Sequence, residues 1–363
     1  MLEKNMPSRL ESLDWLRGLV ALSIMLYHFG GRNDAATALG KLGIYGVSIF
    51  FILSGLSMAI AYDKYIKDFR SSANFFVRRL FRIWPLLWLA VIFVTVQAYL
   101  VGKPYSSSII LLNLSTLFGF VAPARYINMG AWSIGNEMVY YAFTPVFIAA
   151  YHRRKPIGNL VTAATGVIGL IFAFHVLEPS STLEDQWALY INPFNNLFLY
   201  CAGLAIYYNF RDFEIHLRWH LLLLVGTVGL FFFYPASGDQ INIVTRTNRI
   251  AMSLISLAIV FSFYKCPPTL PKFIGDKFEK LGIATYGVYL LHPIVMDFTR
   301  RAFRMIGIQS RYLPSILAIG FTIALAIITF RFFESPLIKL GKKVTQRRVT
   351  LDKQPSNSSA TND

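Results

Sequence analysis

The chain has 363 residues, 55% of them hydrophobic and only 15% charged, against about 25% charged in an ordinary soluble domain. Apolar runs of about 20 residues recur along its length, which is the signature of a polytopic membrane protein. That excludes a soluble enzyme with one core, a disordered chain and a disulfide-built secreted domain. The net charge of +16 fits cytoplasmic loops touching anionic headgroups. No basic stripe interleaved with aromatics stands in a soluble segment, so no nucleic-acid partner is expected. Cys201 and Cys266, the two cysteines, lie in or beside apolar segments and suit neither a disulfide framework nor a metal site.

The start, MLEKNMPSRLESLDWLRG, is polar with mixed charge, and no small-residue cleavage site follows the first apolar run. The first helix is therefore expected to act as its own insertion signal. Apolar segments fall at 13–29, 43–62, 82–101, 106–121, 132–151, 159–177, 187–208, 219–235, 249–264, 281–299 and 314–333. The segment 106–121 is the shortest and carries Asn113, Ser115 and Thr116, whereas a span needs roughly 20 residues at about 1.5 Å each. Leaving it out puts Lys64–Arg82, His152–Lys155, Lys265–Lys280 and the end from Lys339 on the cytoplasmic side, as positive charge prefers. The expectation is an all-α membrane protein of about ten transmembrane helices, one re-entrant or interfacial segment, and both termini cytoplasmic. Its parts are a cytoplasmic N-terminus (1–12), a membrane domain (13–340) and a disordered, Lys/Arg/Ser/Thr-rich cytoplasmic tail (341–363). Arg300, Arg301, Arg304 and Arg311 would then lie outside, against the trend: a tolerated exception, or a site for an anionic acceptor.

Ionisable side chains within such spans are costly, about 2.5–3.5 kcal/mol each on insertion scales, so each needs a reason. Arg17 and His28 are eleven residues apart, which returns to the same helix face about 16 Å along the axis. Alone, Arg17 reads as a snorkelling residue paired with Asp14. His28 alone reads equally as an interfacial histidine. His292, before Pro293, lies eleven residues past Leu281 and so at the depth of His28. Glu137 begins a helix from the other side, and a buried carboxylate without a task would be expensive. Tyr140 and Tyr141 follow it as packing residues, Tyr140 also as a candidate support behind the site. Arg79 and Arg82 share a helix face and form a fork for phosphate oxygens. His152, His175, His216 and His220 read as surface residues. Nucleotide, phosphate-loop, zinc-protease and hydrolase-elbow motifs are absent, and Gly40, Gly43 and Gly46 suit close helix packing.

Six blocks in order resemble the integral-membrane acyltransferase 3 family, which acylates bacterial cell-surface glycans. They are Leu13-Asp14-Trp15-Leu16-Arg17-Gly18 leading to Tyr27-His28, then Gly46–Gly55, then Arg78-Arg79-Leu80-Phe81-Arg82-Ile83-Trp84-Pro85. Trp132-Ser133 with Glu137, Leu281 through His292, and Phe333-Glu334-Ser335-Pro336 complete them. Ser48 stands where the family is often acidic, and Thr285 where it often has serine. Many members add an SGNH hydrolase-like domain after the membrane domain, and the resemblance here covers the membrane domain alone.

The resemblance implies an O-acyltransferase of the bacterial inner membrane with acyl-coenzyme A, above all acetyl-coenzyme A, as co-substrate. It implies a glycan or lipid-linked sugar acceptor and no permanently bound cofactor or metal. Arg17, Arg79 and Arg82 are then the donor-phosphate residues and His28 the base or transient acyl carrier. Glu137 would orient His28 or bind the acceptor hydroxyl, with Asp14, His292 and Tyr140 in support and Glu334 as a structural partner of a mouth arginine. The rival class is a transporter or flippase for an anionic glycan or metabolite, which would also use buried charge.

Overall fold

In hydrocarbon every backbone N–H and C=O must be satisfied within the protein, which makes long apolar runs helical. The computed structural model describes residues 10–30, 34–265, 271–308, 310 and 312–351; Cys266, Arg311 and the chain before 10 and after 351 lie outside the described residues. Among the described residues there is no strand, only an isolated bridge between Asp34 and Asp239. In chain order the helices are α1 (Glu11–Gly30), α2 (Ala38–Tyr62), α3 (Phe69–Leu100), α4 (Ser107–Leu114), α5 (Phe118–Val121), α6 (Ala131–Arg153), α7 (Lys155–Ile171) and α8 (Trp187–Tyr190). There follow α9 (Pro193–Phe210), α10 (Leu217–Phe233), α11 (Ile241–Val244), α12 (Arg246–Lys265), α13 (Lys272–Ile283), α14 (Thr285–Met305), α15 (Tyr312–Thr329) and α16 (Ser335–Leu351). Short π turns extend α7 to Val176 and join α15 to α16.

Five of these helical runs are long and apolar enough to cross a membrane: α2, α3, α7 with its extension, α12, and α15 continuing into α16. The pair α13 and α14, bent by 67°, makes a sixth if counted as one span. The protein is therefore a multi-pass membrane protein. α1, α6 and α9 are 20, 23 and 18 residues long and carry the polar side chains described below. The segment 106–121 is not one helix. It breaks between α4 and α5 at Thr116, whose φ of 61° is left-handed.

α2 is the central element: 78% of its most apolar stretch is buried, against 28% for α3 and 22% for α7. Its closest neighbour is α9. Cβ atoms built at Gly55 and Gly203 would run into the carbonyl oxygens of Tyr200 and Ile52 respectively, so each helix backbone rests on the other. Gly43 and Gly46 similarly face Tyr27, Ile24 and Val20 of α1, in keeping with their expected packing role. Peripheral α3 and α15 instead turn Leu89, Ile92, Phe93, Ile316, Phe321 and Ile328 outward, a surface suited to lipid.

α14 is continuous through Pro293, and the 67° bend between α13 and α14 falls at Ala284, where Gly282 lets the chain close on the Asp14 carbonyl. Two expectations are corrected. The change of composition at Gly341 does not end the ordered chain: α16 continues to Leu351, with Gly341 against Phe81 and Thr345 accepting from Arg78 Nε at 2.8 Å. His220 is not a surface residue but is 1% exposed between α10 and α12, with Nε2 2.9 Å from the Ser262 carbonyl oxygen.

Candidate functional site

Helical spacing assembles the site. Arg17 lies on the face of α1 turned to α2, where it pairs with Asp14 at 2.6 Å and donates to Ser57. On α3, Arg78, Arg79 and Arg82 fall within one turn, and a helix puts residues three apart side by side. Together with Lys342 from α16, these four arginines line a cavity of about 500 Å³ between α1, α2, α3, α6 and α14. Arg79 donates to the Tyr62 hydroxyl at 2.8 Å and lies over the Tyr62 and Tyr141 rings, 5.2 and 5.8 Å from their centroids. Its Nε is buried without a partner. Arg82 reaches Glu334, 2% exposed, at 3.5 Å, the pairing expected for Glu334. The cavity wall thus carries more cationic than anionic side chains, and guanidinium groups match phosphate geometry.

Glu137 stands in the same cavity. Its Oε1 accepts from Ser54 and from Tyr141, each at 2.5 Å. Oε1 is thus held by α2 and by its own helix, and no hydrogen bond from Glu137 to His28 stands among the described residues. One expectation is corrected: Tyr140 does not support Glu137, because at three positions on it turns to α9 and donates to the Pro193 carbonyl at 2.8 Å. Tyr141, four positions on, takes that place. Ser54, Ser57, Tyr62 and Tyr141 have no ionisable cost to announce them in a sequence; only the positions of the charged residues they bond make them visible.

The two histidines meet, although the bend at Ala284 means that the helix carrying His292 does not run straight from Leu281. His28 and His292 stack with ring centroids 5.2 Å apart and an interplanar angle of 28°. His28 is exposed, whereas His292 is 1% exposed, with Nδ1 3.2 Å from the Val288 carbonyl and Nε2 buried without a partner. Neither lines the cavity. Tyr289 stands between: it lines the cavity, and its ring is 6.0 Å from His292 and 6.1 Å from Phe50. Its hydroxyl is 2.8 Å from Ser133 Oγ and donates to the Gly130 carbonyl at 3.0 Å. Sequence reasoning placed Tyr289 in a motif without giving it this position.

Beside the cavity, just past Tyr62, Asp63 ties three helices together. It meets His152 at 2.7 Å, Tyr208 at 2.8 Å and Tyr207 at 3.2 Å. Burial raises its pKa, but the hydrogen bonds from His152 and Tyr208 outweigh that and hold the carboxyl below its usual range. Among the described residues no group of three or more His, Cys, Asp or Glu side chains is placed to hold a metal ion.

A family profile described as an acyltransferase domain matches residues 10–331. Nodulation protein 10 of Rhizobium leguminosarum bv. viciae is 22% identical, over 94% of this chain and 96% of that protein. The peptidoglycan O-acetyltransferase OatA of Listeria monocytogenes is 22% identical over 91% of this chain and 56% of that protein. The O-acetyltransferase OatA of Staphylococcus aureus is 24% identical over 93% and 58%. The chain thus spans little more than half of the two O-acetyltransferases. No solved structure matches it.

Proposed function

The chain belongs to the integral-membrane acyltransferase 3 family, and from that premise we propose that it transfers a short acyl group, acetyl foremost, from acyl-coenzyme A to a hydroxyl of a cell-surface or exported glycan. The observation that carries this reading is the cavity lined by Arg17, Arg79 and Arg82, with Tyr289 linking its wall to the stacked His28–His292 pair. In this reading ten helices cross the bacterial inner membrane, 106–121 is re-entrant or interfacial, and both termini are cytoplasmic. The names of two relatives as O-acetyltransferases support the reaction type.

The donor's phosphates sit against Arg17, Arg79 and Arg82, and its pantetheine arm runs past Phe50 and Tyr289. From Arg17 to His28 is about 16 Å along α1, a length that such an arm can cover. His28, as base, takes the proton of the acceptor hydroxyl while the new C–O bond forms and the C–S bond breaks; the proton then passes to the departing thiolate. As acyl carrier its imidazole would instead attack the thioester, the C–S bond breaking and the ring proton passing to the thiolate; the acceptor hydroxyl then attacks the acyl-imidazole, the C–N bond breaks, and the hydroxyl proton returns to the ring. Glu137, its Oε1 held by Ser54 and Tyr141, orients His28 or binds the acceptor hydroxyl.

The test is the ester content of surface glycans in a strain lacking the gene and in the same strain complemented. Esters lost on deletion and restored by the wild-type gene support the reading, and the chemical shift of the lost group names the acyl chain. Unchanged esters with altered glycan export would replace it with a transporter.

Arg79→Ala is expected to raise KM for acyl-coenzyme A roughly 10- to 100-fold, the worth of a charge-assisted hydrogen bond, with kcat changed only a few-fold. Arg79→Lys, which keeps charge but loses the fork, should fall between. Steady-state kinetics at saturating acceptor checks both, and an unchanged donor KM removes Arg79 from the donor site.

A further inference from the structure

Three arginines crowd the end of α14 farthest from the cavity. Tyr289 lines the cavity, and Arg300 lies eleven residues, about 16 Å, beyond it along the helix. The single acid of α14, Asp297, is taken: it pairs with Arg301 at 2.9 Å and accepts from Gln97 of α3 at 2.6 Å. Arg300 and Arg304 have no carboxylate among the described residues. Their contacts are backbone carbonyls, Arg300 Nη2 to the Phe29 oxygen at 3.5 Å and Arg304 Nε to the Arg300 oxygen at 3.4 Å. Both are exposed.

The Phe29 contact carries the argument. Phe29 follows His28 directly, so the Arg300 guanidinium, 3.5 Å from the Phe29 carbonyl oxygen, stands at the same end of α1 as the residue proposed to meet the acceptor hydroxyl. Two exposed guanidinium groups one turn apart, without acids, form a fork for an oxyanion. Positive charge at this end also runs against the usual preference for the cytoplasmic side.

We propose that Arg300 and Arg304 form an acceptor subsite that recognises an oxyanion, carboxylate or phosphate, on the glycan, and so fix which hydroxyl reaches His28. This deepens the acyltransferase reading and rests on it. The enzyme accordingly favours an acidic or phosphate-bearing acceptor over a neutral one, and the arginines contribute to acceptor binding without touching the donor.

The test uses the full-length protein in nanodiscs of phosphatidylcholine, acetyl-coenzyme A, and unacylated glycan from the deletion strain. The glycan is offered untreated, after carbodiimide–borohydride reduction of its carboxylates, and after hydrofluoric acid removal of its phosphates. Wild type should show an acceptor KM raised about tenfold or more by whichever treatment removes the recognised anion, which tells carboxylate from phosphate. The R300Q/R304Q variant should show that higher KM on untreated glycan and no further rise on treated glycan, with donor KM unchanged. Equal acceptor KM for variant and wild type overturns the subsite. A variant defect that appears only in nanodiscs containing phosphatidylglycerol also overturns it, because the arginines then serve headgroups. If wild-type protein esterifies no glycan sample, the acyltransferase reading fails and this one with it.

Discussion

Replacing His28 with alanine is expected to lower kcat for acyl transfer by about 100- to 10,000-fold, the usual contribution of a positioned base, while KM for acyl-coenzyme A stays within a few-fold. Arg17 lies some 16 Å away along α1, and His28 is not among the residues that line the cavity with Arg79 and Arg82, so the two functions separate. The fold should survive. His28 is exposed, and its removal costs the stack on His292, about 0.5–1.5 kcal/mol, with no cavity left in the core. Single-turnover transfer from labelled acetyl-coenzyme A, with size-exclusion elution as the folding control, checks both halves. Wild-type turnover in a well-folded His28→Ala would remove the residue from the chemistry. Trapping a labelled protein adduct in wild type but not in this variant would choose the carrier role over the base.

The second large effect is structural. Gly55→Val should abolish accumulation of folded protein. The new Cβ would overlap the Tyr200 carbonyl, and the Tyr200 carbonyl carbon and Leu204 nitrogen lie 2.9 and 3.3 Å from it. These are backbone atoms and cannot rotate aside, so α9 must move off α2, the most deeply buried span. Overpacking of ordinary side chains costs about 1–3 kcal/mol, and a backbone clash within the central helix pair exceeds that. Gly203→Val should behave alike, since its Cβ meets the Ile52 carbonyl. Gly229→Val, with nothing within 4 Å of its Cβ, is the matched control. Fluorescence-detected size exclusion of membrane extracts reads the outcome, and a monodisperse Gly55→Val would refute the close α2–α9 contact.

Much of the candidate site was legible because charge is expensive in a membrane. Arg17, Arg79, Arg82 and Glu137 stood out on that ground and share one cavity. The depth arithmetic for His292 assumes a straight helix from Leu281, which the 67° bend at Ala284 breaks, yet its ring meets that of His28. Ser54, Tyr62 and Tyr289 were not singled out, and Tyr141 was read as packing, because a serine or tyrosine in an apolar helix has many uses. Tyr140 was chosen over Tyr141 wrongly for the same reason: each lies close to Glu137 in sequence, and the neighbour that each faces is a tertiary fact.

Composition and the cost of buried charge, read from sequence, determined a helical multi-pass membrane protein with cationic and imidazole groups at separate depths. Which partners those groups take was decided by packing. α2 approaches α9 through Gly55 and Gly203, Ser54 and Tyr141 hold Glu137 Oε1, and Tyr289 stands between the arginine cavity and the histidine pair. The physical reason is range: hydropathy and helical periodicity are properties of a local segment, whereas a hydrogen bond or a van der Waals contact between helices depends on which faces the whole bundle brings within about 3–4 Å.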